Sequence, residues 1–404
     1  MKKILYTTPE LMYPAAGGPY LRVENSIKAL GTICKLHVVS RMSRDQIGGE
    51  KAERFYKSIT PFFSYSPSAS TEKNNLKYLI RRIIWGKNTA SVMADADYII
   101  NYARRNNIKI IWFGYGNISY HLMKKIKSKA PKLKIVCDTD SVWSRFILRE
   151  LALTKNKQKK RKIENKGQKK ETEEADWVNF CDVTTAVSEV DADYYRKLAQ
   201  NPARIKIFSN VLDLATYQSK PPPPDNFKTP CIYLAGSFWS GSPMEVAARW
   251  VIDDILPQVR ESIPDIHLYI VGRNSDVVLN DINDPNITIT GQLRSVLPYL
   301  HHANVSLVPL KFESGTRFKI LESAACEVPL VSTTLGAEGI PVTDGDNILI
   351  ADDAAAFAQA IIKLVKKTNY GKNIAHNLKI YVQQNYSLDK HVQEASEIVE
   401  YLSN

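Results

Sequence analysis

Short apolar runs alternate with longer stretches of helical period along the chain, and this alternation occurs in two series. The first series contains predicted strands at 4–7, 35–40, 108–113, 134–137, 183–187 and 204–208. The second contains predicted strands at 231–236, 267–272, 287–289, 305–308, 330–332 and 348–350. Between them apolar residues recur on one helical face, as in Val23, Ile27 and Leu30. Apolar strands that alternate with helices are typical of parallel sheets covered on both faces, so we expect an α/β protein with two doubly wound domains.

A proline-rich segment separates the two series. Pro221–Pro224 and Pro230 cannot sustain a helix or a central strand, and the composition is that of a semi-rigid spacer. We therefore expect an N-terminal domain at 1–215, a linker at 216–230 and a C-terminal domain at 231–384. After the last predicted strand the chain becomes helical, and its final helix, about residues 385–404, is expected to pack back on the N-terminal domain.

The composition is that of a folded intracellular protein. Of the 404 residues 44% are hydrophobic, enough to bury sizeable cores without disulfides or metal ions. The five cysteines are scattered singly without paired spacing, as in reduced cytoplasmic proteins. No targeting segment and no window of about 18 uninterrupted apolar residues is visible. We expect a cytoplasmic protein, attached at most to a surface such as the inner face of the membrane.

The charge balance favours an anionic partner. The formal net charge is +12, and the segment 155–170 concentrates this charge around a single large apolar residue, Ile163. Two interpretations remain open for Lys155 to Lys170: a solvated helix or mobile loop, and a contact with an anionic membrane surface or a polyanionic substrate. No aromatic residue is interleaved in the run, which argues against single-stranded nucleic acid, and no nucleic-acid partner is expected.

The segment 312–326 carries the residues of an anion site. Ser314 is predicted to cap a helix that buries Leu321. Arg317 and Lys319 then lie in the first turns of this helix, where the helix dipole already presents positive charge. Two cations there are unfavourable for a helix that only packs, and a bound anion would relieve the conflict.

The neighbours of these cations suit a nucleotide. Backbone amides at Gly315 and Thr316 would complete a cradle for a diphosphate, and Glu322, one turn further along, would accept hydrogen bonds from ribose hydroxyls. The alternative is that Lys319 and Glu322 form an exposed ion pair without a ligand. That alternative leaves Arg317 unexplained, so the nucleotide interpretation is favoured.

Glycine-containing loops follow the first strand of each series. Gly17 and Gly18 would let the backbone approach a ligand at the carboxyl edge of a parallel sheet; the alternative is an ordinary flexible loop. Gly236 and Ser237 have backbone amides that could donate to phosphate, and Ser242 opens the next helix with a capping box. The chain has no G-x-G-x-x-G fingerprint, P-loop, G-x-S-x-G elbow or HExxH motif, which argues against dinucleotide, P-loop, hydrolase and zincin chemistry.

Two carboxylates end a predicted strand. Asp138 and Asp140 follow an apolar run, where carboxylates can hold a metal ion or substrate hydroxyls. The structural alternative is that Asp140 caps the next helix while Asp138 is a polar residue at the strand end. The histidines show no spacing for a metal site, and no metal is expected.

Together, the two series, the Gly-Gly loop and the run FESGTRFKILESAACEVPLVSTTLGAEGI resemble a GT-B glycosyltransferase of the retaining, nucleotide-sugar-dependent, group 1-like class of bacterial surface glycan assembly. The stretches 182–189, 209–213 and 271–273 also match. The resemblance spans nearly the whole chain and is strongest at 232–352. It implies two Rossmann-like domains facing a central cleft, with the donor base and ribose on the C-terminal domain, the acceptor mostly on the N-terminal domain, and no essential metal or cofactor.

The resemblance assigns the donor site residue by residue. Glu322 resembles the ribose-binding second glutamate of the E-x7-E motif, whereas Glu313 precedes it with eight intervening residues instead of seven. Where relatives carry Arg and Lys after the first C-domain strand, this chain has Ser237. Arg317 and Lys319 are expected to supply that charge.

The remaining expected site residues lie at strand ends. Arg273 follows the second C-domain strand and is expected to bind the donor. The other residues expected to bind the donor are Gly17, Gly18, Gly236, Ser237, Glu313, Gly315, Thr316 and Glu322. Asp138 and Asp140 occupy the region where relatives hold a sugar hydroxyl or the acceptor. They are expected to act in catalysis with Arg317 and Lys319.

The resemblance thus implies a metal-independent hexosyltransferase that retains anomeric configuration. A hexose-like sugar would move from a nucleoside-diphosphate sugar, with UDP or GDP as carrier, to a hydroxyl of a glycan, glycolipid or protein acceptor. Two alternatives stay open on the same architecture: a nucleotide-sugar epimerase, which needs no acceptor, and a catalytically silent scaffold protein.

Overall fold

The structure is a computed structural model that describes residues 1–15, 17–69 and 87–403. The chain forms two compact units. The first unit comprises Met1–Asn210 and Leu388–Asn404, and the second comprises Val211–Ser387. The expected α/β class with two Rossmann-like parallel-sheet domains is confirmed.

Within the described residues, the first unit contains a sheet of seven parallel strands. In chain order these are β1 (Lys3–Thr8), β2 (Lys35–Ser40), β3 (Phe62–Tyr65), β4 (Ile110–Gly114), β5 (Lys134–Asp138), β6 (Val183–Ala186) and β7 (Ile205–Ile207). Their spatial order is β3-β2-β1-β4-β5-β6-β7. The order reverses between β1 and β4, and such a switch point is where open parallel sheets bind ligands.

Helices cover both faces of this sheet. They are α1 (Gly18–Ile33), α2 (Gly49–Ile59), α3 (Lys87–Arg105), α4 (Tyr120–Lys129), α5 (Trp143–Arg149), α6 (Lys157–Phe180), α7 (Glu189–Leu198) and the chain-terminal α15 (Leu388–Tyr401). Successive strand residues point to opposite faces, so Ile4 and Trp112 join the core under α1 and α15, and Leu5 and Ile111 join the core on the other face. The last helix packs on α1.

The second unit repeats this arrangement with six parallel strands among the described residues. They are β8 (Cys231–Ala235), β9 (His267–Val271), β10 (Ile287–Ile289), β11 (Val305–Val308), β12 (Leu330–Ser332) and β13 (Leu349–Ile350), in the spatial order β10-β9-β8-β11-β12-β13. Its helices are α8 (Pro243–Trp250), α9 (Leu256–Ser262), α10 (Ser275–Val278), α11 (Leu297–Leu300), α12 (Phe318–Ala325), α13 (Ala354–Lys366) and α14 (Thr368–Asn385). The strand order reverses between β8 and β11.

The proline-rich segment differs from the sequence-based expectation of a spacer between domains. It lies inside the second unit, against the sheet and the helices of that unit. Phe227 stacks on Tyr269 with ring centroids 4.7 Å apart, and His302 Nε2 lies 2.9 Å from the carbonyl oxygen of Pro221. Polyproline backbone lacks internal hydrogen bonds, so its carbonyl groups are free to bond neighbouring side chains.

The basic segment 155–170 lies almost entirely on α6. Ile163 and Gly167 are buried one turn apart, because the helix packs this stripe on α5, while most lysines of the segment are exposed. Asn156 caps the helix by accepting a hydrogen bond from the Lys159 amide. No helix in the described ranges has the length and apolar character needed to cross a membrane.

Candidate functional site

The loop between β11 and α12 differs from the predicted helix start. Gly315 has a φ of 81°, a left-handed conformation that suits glycine and interrupts the helical path. Helix α12 therefore begins at Phe318, and Arg317 rather than Ser314 occupies the N-cap position, with extended backbone. The Arg317 guanidinium is buried and donates through Nη1 to the Ser314 carbonyl oxygen at 2.6 Å. Arg317 thus closes the loop back on itself instead of lying in the first helical turn.

Lys319 and Glu322 lie on α12, three residues apart. Both are half-buried, and no ion pair within 4.0 Å joins Lys319 to a carboxylate of the described residues. The exposed-pair alternative is therefore wrong. Glu322 Oε1 instead accepts a hydrogen bond of 2.9 Å from the hydroxyl of the buried Tyr217.

Burial shapes the pKa values of both groups. Burial lowers the pKa of Lys319, and the more distant charges of Glu322 and Glu313 offset part of that effect. Burial raises the pKa of Glu322, and the hydrogen bond from Tyr217 acts in the opposite direction. The side chain of Lys319 thus carries a charge that is partly desolvated and not neutralised by direct contact, which is the condition that a bound anion would satisfy.

The loops after β8 and β9 meet at the same edge of the sheet. The Gly236 amide donates to the Val271 carbonyl at 2.9 Å, and a Cβ on Gly272, whose φ is 134°, would lie 1.8 Å from the Gly236 carbonyl oxygen. Only glycine fits at Gly272 without displacing this neighbour. Ser237 is half-buried and Arg273 is exposed in these loops. Ser242 caps α8 by accepting from the Glu245 amide at 3.0 Å, as predicted.

The strand order brings these second-unit residues to one edge. Because β8 lies between β9 and β11, Gly236 and Ser237, Arg273 and the 313–317 loop all follow the carboxyl ends of adjacent strands. The strand order reverses between β8 and β11, and nucleotides bind at the carboxyl edge beside such a reversal in doubly wound sheets. Glu313, Gly315 and Thr316 belong to this edge, and Thr316 is buried.

In the first unit, Gly17 and Gly18 start α1. Gly17 has a φ of 90°, and a Cβ built on it meets no atom within 4 Å. The glycine at this position is required by its backbone conformation and not by close packing.

Asp138 and Asp140 have different surroundings. Asp138 is 1% exposed, and its Oδ1 accepts from Arg22 Nη2 at 2.5 Å and from the Thr185 hydroxyl at 2.8 Å. Arg22 also donates to Asn210 Oδ1 at 2.8 Å and to the Phe208 carbonyl at 3.0 Å. These contacts join α1 to the carboxyl ends of β5, β6 and β7, and they favour a structural role for Asp138 over direct contact with a substrate.

Asp140 is half-buried and does not cap α5, whose N-cap is Val142. Its Oδ1 accepts from the Asn117 side-chain amide and from the Trp143 indole N–H at 3.2 Å. Burial raises the pKa of Asp140, while hydrogen bonds from Asn117, Tyr115 and Trp143 oppose the rise. Among the described residues, no group of three or more His, Cys, Asp or Glu side chains is arranged to hold a metal ion.

Sequence reasoning missed Tyr217 and Arg22. Tyr217 lies in a short 3₁₀ helix, Leu214–Tyr217, at the edge of the proline-rich segment, where no periodic pattern marks a buried residue. Arg22 lies on α1 among apolar residues, and a cation on the apolar face of a predicted helix was the signal for a buried partner.

Comparison with known proteins adds to this geometry. Residues 229–367 match the family described as Glycosyl transferases group 1. An uncharacterized 44.6 kDa protein in the cps region of Klebsiella pneumoniae is 28% identical over 151 residues, a match that covers 35% of this chain and 39% of that protein.

Solved structures resemble the whole chain at low sequence identity. Sucrose-phosphate synthase from Thermosynechococcus elongatus has a TM-score of 0.72 at 15% identity, covering 100% of this chain and 99% of that one. Anabaena HepE in complex with UDP-glucose has a TM-score of 0.67 at 12% identity, with both chains covered at 100%. These structural likenesses show that the chain has the GT-B fold, and residues 229–367 of its second unit resemble the Glycosyl transferases group 1 family.

Proposed function

We propose that this protein is a glycosyltransferase that moves a hexose-like sugar from a nucleoside diphosphate to a hydroxyl of a larger acceptor, with retention of configuration. The observation that carries the proposal is Lys319, a half-buried cation that has no ion pair among the described residues. Glu322, a half-buried carboxylate, lies one turn further along the same helix. Both belong to the domain that matches Glycosyl transferases group 1. The solved neighbour HepE was crystallised with UDP-glucose, which supports a nucleotide sugar as the donor.

In this proposal Lys319 binds the diphosphate at the amino end of α12. The helix dipole and the ammonium group both favour negative charge there, and a phosphate would replace the water lost on burial of the lysine. Glu322, oriented by the Tyr217 hydroxyl, accepts hydrogen bonds from the ribose. Gly236, Ser237, Arg273, Glu313, Gly315 and Thr316 supply amide or side-chain contacts around the nucleotide sugar.

The chemistry requires stabilisation of a leaving phosphate. As the bond between the anomeric carbon and the phosphate oxygen breaks, negative charge builds on the diphosphate, and a fixed cation stabilises the transition state more than the ground state. Lys319, with Arg317 holding the loop that precedes it, performs this task without a resident metal ion. Retention follows when the acceptor hydroxyl attacks from the face that the phosphate leaves and gives its proton to the departing phosphate.

On the acceptor side, the two carboxylates have separate roles in our proposal. Asp140, half-buried and oriented by Asn117 and Trp143, contacts the acceptor hydroxyls. Asp138 positions the strand end through Arg22. Gly17 and Gly18 shape the loop beside them.

Donor binding is tested by a thermal-shift screen against UDP, GDP, ADP and CMP sugars, since a ligand that binds the native state raises its apparent stability. We expect stabilisation by one nucleoside-diphosphate sugar, and its loss in Glu322→Ala. The matched control is Glu261→Ala, an exposed glutamate on α9 of the same unit. No stabilisation by any donor, or an equal loss in both variants, would contradict the assignment.

Turnover is tested by release of nucleoside diphosphate from that donor with and without acceptor glycans, glycolipids and glycoproteins. We expect release that depends on the acceptor. A changed sugar formed from the donor alone would instead indicate an epimerase, and donor binding without turnover on any acceptor would indicate a scaffold protein.

We further propose that exposed lysines of α6 contact an anionic membrane and bring the enzyme to membrane-linked acceptors on the cytoplasmic side. Lys160, Lys162 and Lys166 are exposed on this helix, and Leu153 just before it is 46% exposed. Each basic residue near an anionic surface contributes about 1 kcal/mol. The triple variant Lys160→Gln, Lys162→Gln, Lys166→Gln should lose binding to vesicles of anionic lipid at low salt.

The control for this test removes the same charge elsewhere. Lys366, Lys367 and Lys372 are exposed in the second unit, and their triple change to Gln should leave vesicle binding intact. Equal vesicle binding by both triple variants and the wild type would refute the membrane contact.

A further inference from the structure

The first unit contains a cavity of about 360 Å³ at the carboxyl ends of β1 to β4. Its wall includes Pro9, Arg41, Ser68, Asp95, Asn117 and Lys170. Pro9, Arg41 and Asn117 follow β1, β2 and β4, so the cavity lies beside the point where the strand order of this sheet reverses. Position and volume are those of a small-molecule site.

Arg41 is the cation of this wall whose charge is not matched by direct contact. Its Nη2 donates to the Ser119 hydroxyl, its Nε is buried with no hydrogen-bond partner, and none of the described carboxylates lies within 4.0 Å of its guanidinium. Burial lowers its pKa to about 10, with the more distant Asp95 and Glu10 acting in the opposite direction. A guanidinium in this state has donors left for a planar anion.

Lys170 and Asp95, two other charged groups of the wall, already have hydrogen-bond partners. Lys170 donates to Glu173 at 3.0 Å and to the Asn117 carbonyl at 2.6 Å. Asp95 accepts from the Ser68 amide at 3.1 Å and from its hydroxyl at 2.6 Å. Glu173 neutralises Lys170 and Ser68 satisfies the Asp95 oxygens, so among these charged groups Arg41 is the one that retains an unused N–H donor.

Neutral polar groups line the rest of the cavity. Asn117 is completely buried, its side-chain amide donates to Asp140, and its Oδ1 is a buried acceptor with no partner in the described structure. Ser119, whose hydroxyl accepts a hydrogen bond from Arg41, belongs to the same wall. A cation with an unused donor, among hydroxyl, amide and hydrogen-bonded carboxylate groups, is suited to a polyhydroxylated ring that bears one anionic substituent.

We propose that this cavity binds an acidic sugar unit of the acceptor, with its oxyanion on Arg41 and its ring hydroxyls on Asn117 and Ser119. The inference rests on the proposed glycosyltransferase function, because it names the acceptor of that reaction. Asn117 links the cavity wall to Asp140, so the sugar lies beside the carboxylate assigned to the acceptor hydroxyl. The oxyanion is the carboxylate of a uronic acid or the phosphate of a sugar phosphate.

The test measures binding of glucuronate, glucose 6-phosphate, glucose and inorganic phosphate to the full chain by isothermal titration. We expect at least one of the two acidic sugars to bind about tenfold or more tightly than glucose, as a charge-assisted hydrogen bond would provide. Tighter binding of glucuronate assigns the carboxylate, and tighter binding of glucose 6-phosphate assigns the phosphate. Equal affinity for glucose and both acidic sugars, or inorganic phosphate binding as tightly as the acidic sugars, would overturn the inference.

Variants locate the binding. Arg41→Gln should abolish the preference for the acidic sugar and Arg41→Lys should retain part of it, with folding checked by thermal unfolding. Arg104→Gln, an exposed arginine on α3, is the matched control and should retain the full preference. A preference that survives in Arg41→Gln would contradict the assignment.

Donor affinity separates this inference from the proposed function. Arg41→Gln should bind the nucleoside-diphosphate sugar as the wild type does, because Arg41 is in the first unit and Lys319 in the second. A wild type that binds donor but no acidic sugar overturns the cavity assignment alone. A wild type that binds the acidic sugar but no donor overturns the proposed function and leaves the cavity as a sugar site.

Discussion

Two cations with limited exposure have opposite surroundings in this protein. Arg22 is 2% exposed and donates hydrogen bonds to a carboxylate, a side-chain amide and a backbone carbonyl, whereas Lys319 is half-buried without an ion pair among the described residues. A desolvated charge that is paired and hydrogen-bonded stabilises a particular arrangement of the fold. A desolvated charge that has no such partner loses hydration without compensation, so it indicates a place where a ligand of opposite charge would bind.

The Arg22–Asp138 pair predicts a stability effect. Arg22→Met should cost about 3–5 kcal/mol in the free energy of unfolding, because it leaves the buried Asp138 carboxylate uncompensated. The double variant Arg22→Met, Asp138→Leu should be more stable than the single one, because it removes both buried charges. Chemical denaturation of both variants measures these free energies of unfolding. A single variant as stable as the wild type would show that the ion pair does not stabilise the fold.

The lowered pKa of Lys319 predicts the pH dependence of donor binding. The ammonium form binds diphosphate, so affinity should fall as pH rises through the lowered pKa, below the ordinary lysine value of 10.5. Titrations of nucleoside diphosphate across the alkaline range should show this decline in the wild type. The decline should be absent in Lys319→Ala beyond the titration of the nucleotide itself, and an identical pH profile in both proteins would refute the role of the lysine.

At the level of the element, apolar runs were sufficient to predict most strands. The predicted strands 35–40, 287–289, 305–308 and 330–332 agree with the observed bounds, because strands of a parallel sheet covered by helices carry short, largely apolar runs. Strand β3 was missed because its four residues follow Pro61 directly after a helix and end within a short aromatic run. The start of α12 was wrong because the capping signal of Ser314 competes with a left-handed glycine one residue later.

Some residues of the candidate sites could be predicted from the sequence and others could not. Lys319 and Glu322 follow from helical spacing along one element, so sequence could place them together. Their third partner, Tyr217, and the cavity around Arg41 depend on contacts between residues distant in sequence, and no local pattern reports such contacts.

The docking of α15 on the first unit depends on Glu394. Its carboxylate accepts from the Ser209 amide and hydroxyl, both at 2.8 Å, and lies 3.7 Å from the His391 ring. Burial pushes the pKa of Glu394 upward, but His391 and the Ser209 amide and hydroxyl outweigh this effect and hold it below the ordinary value of 4.5. The carboxylate form is therefore the one that stabilises the fold.

Glu394→Gln should lower the free energy of unfolding by about 1.5–3 kcal/mol at neutral pH, the range for hydrogen bonds to a charged group. A depressed carboxylate pKa contributes stability above pH 4.5 that is lost as pH falls through the folded-state pKa. The difference from wild type should thus shrink below pH 4.5. Glu400→Gln, exposed on the same helix, should have little effect, and a pH-independent difference for Glu394→Gln would contradict this account.

The loops after β8 and β9 approach so closely that a single methyl group added at Gly272 should lower stability. Gly272→Ala would place a Cβ against the Gly236 carbonyl oxygen in a positive-φ conformation, so we expect a lower melting temperature and weaker donor binding. Gly241→Ala shares the positive φ but meets no atom within 4 Å, and should cost only the backbone strain. Equal melting temperatures for the two variants would show that the close approach is unimportant.

For the whole molecule, we propose a different ligand chemistry for each unit. The second unit presents Lys319 and Glu322 where its strand order reverses, and the first presents the Arg41 cavity where its own order reverses. Both sheets have the same parallel topology, so the difference between them comes from side chains in the loops after the strands. We therefore expect variants in one unit to alter affinity for one ligand and leave the other unchanged.

In our proposal, Lys319 holds the diphosphate of the donor. The most direct measurement is isothermal titration of the nucleoside diphosphate into the wild type, Lys319→Ala and the exposed-lysine control Lys372→Ala at neutral pH. The account predicts a loss of affinity of about tenfold or more in Lys319→Ala, the worth of a charge-assisted hydrogen bond, and wild-type affinity in Lys372→Ala. Equal affinity in all three proteins would contradict it.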